Sequence, residues 1–184
     1  FNGNKIITSG GGGMILTKSK LLAKKARYLI NQSKDDPINF IHNNIGYNYR
    51  LSNLHASLGL SQFKKIQYIL NKKRFIHNLY KKLILKNINY SIMTAPDYCD
   101  SNNWLNILII KNNKIKLKNI IKIMQKNKIS VRPLWYPNHL QKPFIKYQNY
   151  KIKNTLKLLS SSICLPSSYI LTVKEIHKII KLLP

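Results

Sequence analysis

An α/β fold is predicted by three features of this chain. From residue 104 onward, short apolar runs of strand length alternate with segments of helical period. Residues 53–85 carry Leu54, Leu58, Phe63, Ile66, Leu70, Phe75, Leu79 and Leu83 near helical spacing, which reads as one long helix. Thr172 and Glu175 form a T-x-x-E capping box that opens a last helix. With 44% hydrophobic residues over 184 positions, the chain can pack a substantial core.

The N-terminal segment holds Lys5 and then four consecutive glycines, at 10–13. Glycines let a backbone take positive φ and approach a ligand closely. Residues 14–16, Met-Ile-Leu, read as a short buried strand. Thr17 is expected to cap a helix reaching Leu29, with Leu21, Leu22, Ala26 and Leu29 on one face. Residues 31–44 read as a loop, rich in Asn and Asp and containing Asp36-Pro37. Ser52 is a good N-cap for the long helix.

Residues 87–103 hold Pro96, Asp97 and Asp100 and little periodicity, so no element is predicted there. Strands are expected at 104–110, 129–132 and 163–165, and helices at 114–126 and 151–159. Pro133, Pro137 and Pro143 break up a loop around Trp135 and His139.

The charge is strongly basic, with 32 Lys+Arg against 5 Asp+Glu and a net +27. A basic surface attracts phosphate, which raises a nucleic-acid-binding module as one reading. The lysines are nevertheless spread along the whole chain, without a concentrated stripe, and accompany abundant Asn, Ile and Tyr. Such a composition also follows from AT-rich codons. Cys99 and Cys164 make no disulfide framework, and no Cys/His cluster has metal spacing. The longest apolar runs are too short to cross a membrane, so a cytoplasmic location is expected.

Lys5 alone is one lysine among many, and the glycine run alone lacks the order of a nucleotide loop. Together they place an amine, a potential nucleophile toward a carbonyl, just before a tight turn that feeds an apolar run. The combination F-N-G-N-K…T-S-G-G-G-G-M resembles the DegT/DnrJ/EryC1/StrS family of sugar aminotransferases that use pyridoxal 5'-phosphate (PLP). Members carry S-F-x-x-x-K…T-x-G-E-G-G-M around the cofactor lysine. Lys5 falls on that lysine, Gly11 stands where members carry Glu, and the phosphate-contacting Ser of members would precede Phe1.

A second block, Gly-Tyr-Asn-Tyr-Arg at 46–50 followed by Ala56 and Gln62, is similar to the family's G-x-N-Y-R pattern. There the Asn reaches the PLP phosphate of the other subunit in a homodimer, so the resemblance gives Asn48 that role. A third block, residues 129–144, resembles the segment that closes over the nucleotide-sugar substrate. It makes Trp135 and His139 candidate substrate-binding residues. The Leu165-Pro166 pair is similar to a C-terminal motif of the family.

The resemblance runs in order along the chain and implies the C-terminal part of a PLP-dependent transferase of fold type I, the aspartate-aminotransferase-like class. Residues 1–52 would end the PLP-binding large domain, 53–86 would form an interdomain helix, and 87–184 a small α/β domain. It implies transfer of an amino group from an amino-acid donor, glutamate, to a keto nucleotide sugar on a route to surface polysaccharide or nonulosonic acid. The family's carboxylate for the pyridine nitrogen and its phosphate-cradling helix lie upstream of the lysine, whereas Asp35, Asp36, Asp97, Asp100 and Glu175 all lie downstream of Lys5. The isolated chain is therefore expected to be inactive as a fragment.

Overall fold

Two units make up the computed structural model, which describes residues 1–184. They are Phe1–Gln67 and Tyr68–Pro184. In the first, α1 spans Lys20–Ile30 and α2 spans Asn53–Lys64. The cap of α1 is Ser19, two residues later than expected. Its Oγ accepts from Leu22 N at 3.2 Å, while Thr17 Oγ1 accepts from Ser19 N at 3.1 Å and shapes the approach. Ser52 caps α2 as expected.

Residues 14–16 do not form a strand. Met14, Ile15 and Leu16 are 70%, 71% and 86% exposed, and no segment of the chain pairs with them. An apolar run becomes a strand only where a ladder partner takes its backbone groups.

The C-terminus of α1 is tied to the segment that follows the loop. Leu29 O and Ile30 O, left without helical donors, accept from Tyr47 N at 2.7 Å and Tyr49 N at 3.0 Å. Gly46 makes this approach possible. A Cβ there would overlap the Ser33 backbone nitrogen and the Gln32 carbonyl carbon, and would lie 2.5 Å from Ser33 Oγ.

The long helix of the sequence reading is interrupted. α2 ends at a C-cap, Lys65, whose N–H turns back to Gln62 O at 3.1 Å, and α3 then runs Ile66–Ile84. The buried face of α3 also differs from the expected one. It is Ile69, Lys73, Ile76, His77, Tyr80 and Ile84, whereas Phe75 is 51% exposed. A lysine and a histidine sit inside the true apolar stripe and hide it from a pattern search.

The second unit contains a four-stranded antiparallel sheet in the order β1-β2-β4-β3. β1 is Tyr90–Ile92, in the segment for which no element is predicted, and β2 is Asn106–Ile110. α4, Leu117–Lys126, follows, then the two-residue β3, Arg132–Pro133. α5, Asn154–Ser161, leads into β4, Ser162–Leu165, and α6 is Val173–Lys181 with the complete Thr172–Glu175 capping box. Leu108 pairs with Ile163 at the centre of the sheet. Ile76, Tyr80, Ile120, Met124 and Ile176 are fully buried around it.

Side chains of α3 clamp the turn after β4. Lys73 Nζ donates to Trp104 O at 2.9 Å and to Ser167 O at 2.5 Å, and Tyr80 OH donates to Pro166 O at 3.0 Å. Asn106 donates to Ser167 Oγ through both its backbone N (2.8 Å) and Nδ2 (3.1 Å). Asn106 Oδ1 is then the acceptor for His77 Nδ1, 3.0 Å away. The Leu-Pro motif thus has a structural explanation within this unit.

Tyr80 and Lys73 of this clamp, together with Tyr90, whose OH donates to Pro184 O, make stability pH-dependent. Burial, with the Glu175 carboxylate adding to it, pushes the Tyr80 phenol well up, and burial raises Tyr90. An unfolded phenol ionises near pH 10. These groups therefore contribute stability that is complete below about pH 10 and is lost as the pH rises further. Burial lowers the Lys73 ammonium, which works in the opposite direction between its folded value and about pH 10.4. Tyr80→Phe is expected to flatten the alkaline fall while costing about 1 kcal/mol at neutral pH for the lost hydrogen bond. Urea titrations at neutral pH and above pH 10 measure both effects. Equal alkaline slopes for the variant and the parent would contradict the assignment.

Candidate functional site

Lys5 lies on a loop closed at its base. Ser9 N and Thr8 Oγ1 both donate to Phe1 O, at 3.1 and 3.0 Å, and Lys5 N donates to Asn2 O at 3.1 Å. The Lys5 side chain is exposed. Thr8 Oγ1 accepts from Gly10 N at 2.9 Å, and Ser9 Oγ donates to Gly11 O at 2.5 Å. The turn then needs glycine at 12. Its φ is +78°, and a Cβ would lie 2.6 Å from Leu51 Cδ1.

The glycine turn borders a cleft of about 1000 Å³. Gly12 to Ile15, the α1 residues Ala23, Ala26, Arg27 and Ile30, residues 48–52, and His55 of α2 line it. Asn48 stands between Tyr47 and Tyr49, whose rings stack at 5.1 Å. His55 Nδ1 lies 2.9 Å from Ser52 Oγ. The polar lining comprises two guanidinium groups, an amide, an imidazole and hydroxyls, with no carboxylate. Asp35 and Asp36 are engaged elsewhere in this unit. Asp35 accepts from Tyr28 OH (3.0 Å) and Asn43 N (2.7 Å), and Asp36 from Ile38 N (2.7 Å) and Asn39 N (3.0 Å). Such a donor set suits a phosphate or another oxyanion.

Of the residues singled out in the sequence, Asn48 lines the cleft and Lys5 lies outside its lining, on the loop that leads into it. Trp135 and His139 belong to the second unit. Trp135 is 64% exposed and stacks on Trp104. His139 is half-buried in a 3₁₀ turn, Asn138–Leu140. Arg27 and His55 also line the cleft and were not anticipated. Nothing in the sequence separates Arg27 from the many other cations, whereas His55, one turn beyond the Ser52 cap, was within reach of a helical-face argument.

The fold is that of the PLP-dependent sugar aminotransferases, the fold-type-I class. PseC of Helicobacter pylori, an aminotransferase involved in the biosynthesis of pseudoaminic acid, superimposes with a TM-score of 0.78 at 20% identity. That match covers 91% of this chain and 46% of PseC. The profile of the DegT/DnrJ/EryC1/StrS aminotransferase family matches residues 1–184, and the chain belongs to that family.

Among curated relatives, EpsN of Bacillus subtilis (strain 168) carries the name of a pyridoxal phosphate-dependent aminotransferase. It is 34% identical over 100% of this chain and 48% of its own length. GDP-perosamine synthase of Vibrio cholerae is 30% identical over 76% of this chain and 38% of its own. The chain spans about half the length, or less, of the curated relatives it matches.

The residues present fit PLP in part. Lys5 carries a primary amine on the exposed loop outside the cleft lining, and the cleft offers Asn48, Arg27 and Arg50 to a phosphate. A carboxylate for the pyridine nitrogen is not among the cleft residues. No helix is long and apolar enough to cross a membrane.

Proposed function

We propose that this chain supplies the lysine-bearing part of a PLP-dependent aminotransferase that moves an amino group from glutamate to a keto nucleotide sugar. The observation that carries the reading is the family match along residues 1–184, and the motif resemblance supports Lys5 and Asn48 as its site residues. PLP, when bound, supplies the electron sink for the reaction. The Lys5 amine would hold the cofactor at its carbonyl carbon, with loss of water, and Nζ would take up and return the proton of the transfer. Asn48 donates through Nδ2 to the cofactor phosphate of the partner subunit in a homodimer. Trp135 and His139 border the sugar nucleotide. Residues 1–52 act as the end of the PLP-binding large domain, 53–86 as the interdomain segment and 87–184 as the small domain.

GDP-perosamine synthase is named for a nucleotide-linked sugar, and PseC for pseudoaminic acid biosynthesis. These names support a place in surface-polysaccharide or nonulosonic-acid synthesis, which uses cytoplasmic nucleotide sugars. The curated relatives support sugar amination, and the nucleic-acid reading of the composition is set aside.

The test uses glutamate labelled with ¹⁵N on its amine, PLP and a 4-keto sugar nucleotide, with the chain in its active assembly. The expected result is ¹⁵N in the sugar nucleotide and an equal amount of 2-oxoglutarate. Unlabelled sugar with no 2-oxoglutarate would reject the proposal. In the same assembly, Asn48→Ala is expected to weaken PLP affinity about tenfold through loss of a charge-assisted hydrogen bond. Asn48→Asp should weaken it further by repulsion, as read by a PLP absorbance titration. Unchanged affinity in both variants would remove Asn48 from the phosphate site.

A further inference from the structure

Trp104 and Trp135 are the two tryptophans of the chain, and both lie in the second unit. Their rings stack with centroids 5.8 Å apart and planes 25° from parallel. Trp104 is half-buried, and Trp135 is 64% exposed. One face of the Trp135 ring rests on its neighbour, and the other side remains open to solvent. We propose that this open face is a stacking platform for the purine or pyrimidine base of a nucleoside diphosphate. The proposal rests on the nucleotide-sugar reading above and adds which part of the substrate Trp135 recognises and what holds it there.

The pair is built to be rigid. Trp104 N donates to Asn102 Oδ1 at 3.0 Å, and Trp104 O accepts from the buried Lys73 ammonium at 2.9 Å, so both backbone groups of Trp104 are held. Lys73 is 6% exposed and is itself fixed by Ser167 O. On the other side, Arg132 and Pro133 pair with β4, and the buried Pro137 opens the 3₁₀ turn Asn138–Leu140. The short segment carrying Trp135 is therefore tethered at both ends, and its two prolines fix φ. A platform ordered before binding loses little entropy when a ligand arrives.

A large ring exposed to water gains by being covered, and every nucleobase has a π-face, so stacking suits a base without demanding one base over another. The net charge of +27 favours the diphosphate that accompanies the base. Trp104 acts as a positioning residue, supporting the ring that meets the ligand.

Because both tryptophans belong to the pair, fluorescence excited at the red edge, where the tyrosines do not absorb, reports on it alone. The full chain is titrated with GDP, with UDP, and with inorganic pyrophosphate and a sugar 1-phosphate at matched ionic strength. Saturable quenching by both nucleotides and none by the two base-free anions is expected. Trp135→Ala should weaken nucleotide binding roughly tenfold or more, read on the base protons by saturation-transfer NMR. Trp135→Phe should keep most of the affinity. Trp104→Leu should weaken quenching of the remaining Trp135, and Trp104→Phe should restore it. Circular dichroism verifies the fold of each variant.

Quenching by pyrophosphate equal to that by GDP would overturn the platform, because phosphate and not the base would then be recognised. Nucleotide binding that leaves fluorescence unchanged and survives Trp135→Ala would also overturn it, while leaving the amino-transfer reading intact. Failure of that reading shows separately, as absence of ¹⁵N transfer.

Discussion

Replacing Lys5 by alanine is expected to abolish amino transfer, with a fall of about 10⁴-fold or more in kcat. The size of the effect follows from two roles on one atom. In the proposed function Nζ would hold the cofactor, and the same amine would then move the proton on which the transfer depends. Lys5→Arg is expected to be equally inactive, since a guanidinium keeps its proton and cannot serve as a base. The fold should be unaffected in both variants, because the side chain is exposed on a loop closed by hydrogen bonds of Phe1, Thr8 and Ser9. The ¹⁵N-transfer assay and a thermal melt measure the two effects side by side. Turnover within tenfold of the parent would remove Lys5 from the chemistry.

Gly46→Ala is expected to cost about 3 kcal/mol or more of stability in the first unit. The added Cβ would meet the Ser33 nitrogen and the Gln32 carbonyl carbon, which are backbone atoms and cannot rotate away. Relief requires residues 46–49 to move off the end of α1, which breaks the bonds from Tyr47 N to Leu29 O and from Tyr49 N to Ile30 O. Asn48 lies between those two residues and would leave the cleft with them. The variant should therefore lose both stability, seen by urea denaturation, and PLP affinity. Gly3→Ala is the matched control, because a Cβ there meets nothing within 4 Å. A Gly46→Ala protein as stable as Gly3→Ala would contradict this account of the cleft.

Legibility in the sequence followed how local the physics is. The capping box at Thr172, the Ser52 cap and the strand at Ser162–Leu165 are decided by neighbouring residues, and each was readable. Met14-Ile15-Leu16 has the same apolar look as Ile163-Cys164-Leu165, yet only the latter finds strands on both sides. Pairing is non-local, and an apolar run carries no record of its partner. The buried face of α3 was misread because Lys73 lies within it. A lysine there is acceptable only because Trp104 O and Ser167 O, remote in sequence, meet its ammonium. Lys5 and Asn48 are proposed from motif order, and of the two only Asn48 lines the cleft. Arg27 becomes visible only once α1, α2 and the glycine turn surround one cleft, whereas His55 follows the readable Ser52 cap by one turn.

The central claim is that Lys5 is the cofactor lysine, and reductive trapping tests it most directly. The chain in its active assembly is mixed with PLP, reduced with borohydride, digested and mapped by mass spectrometry. The account predicts a pyridoxyl group on Lys5 in preference to the other lysines, and its loss in Lys5→Arg. Labelling scattered over surface lysines, with Lys5 not favoured, would contradict it.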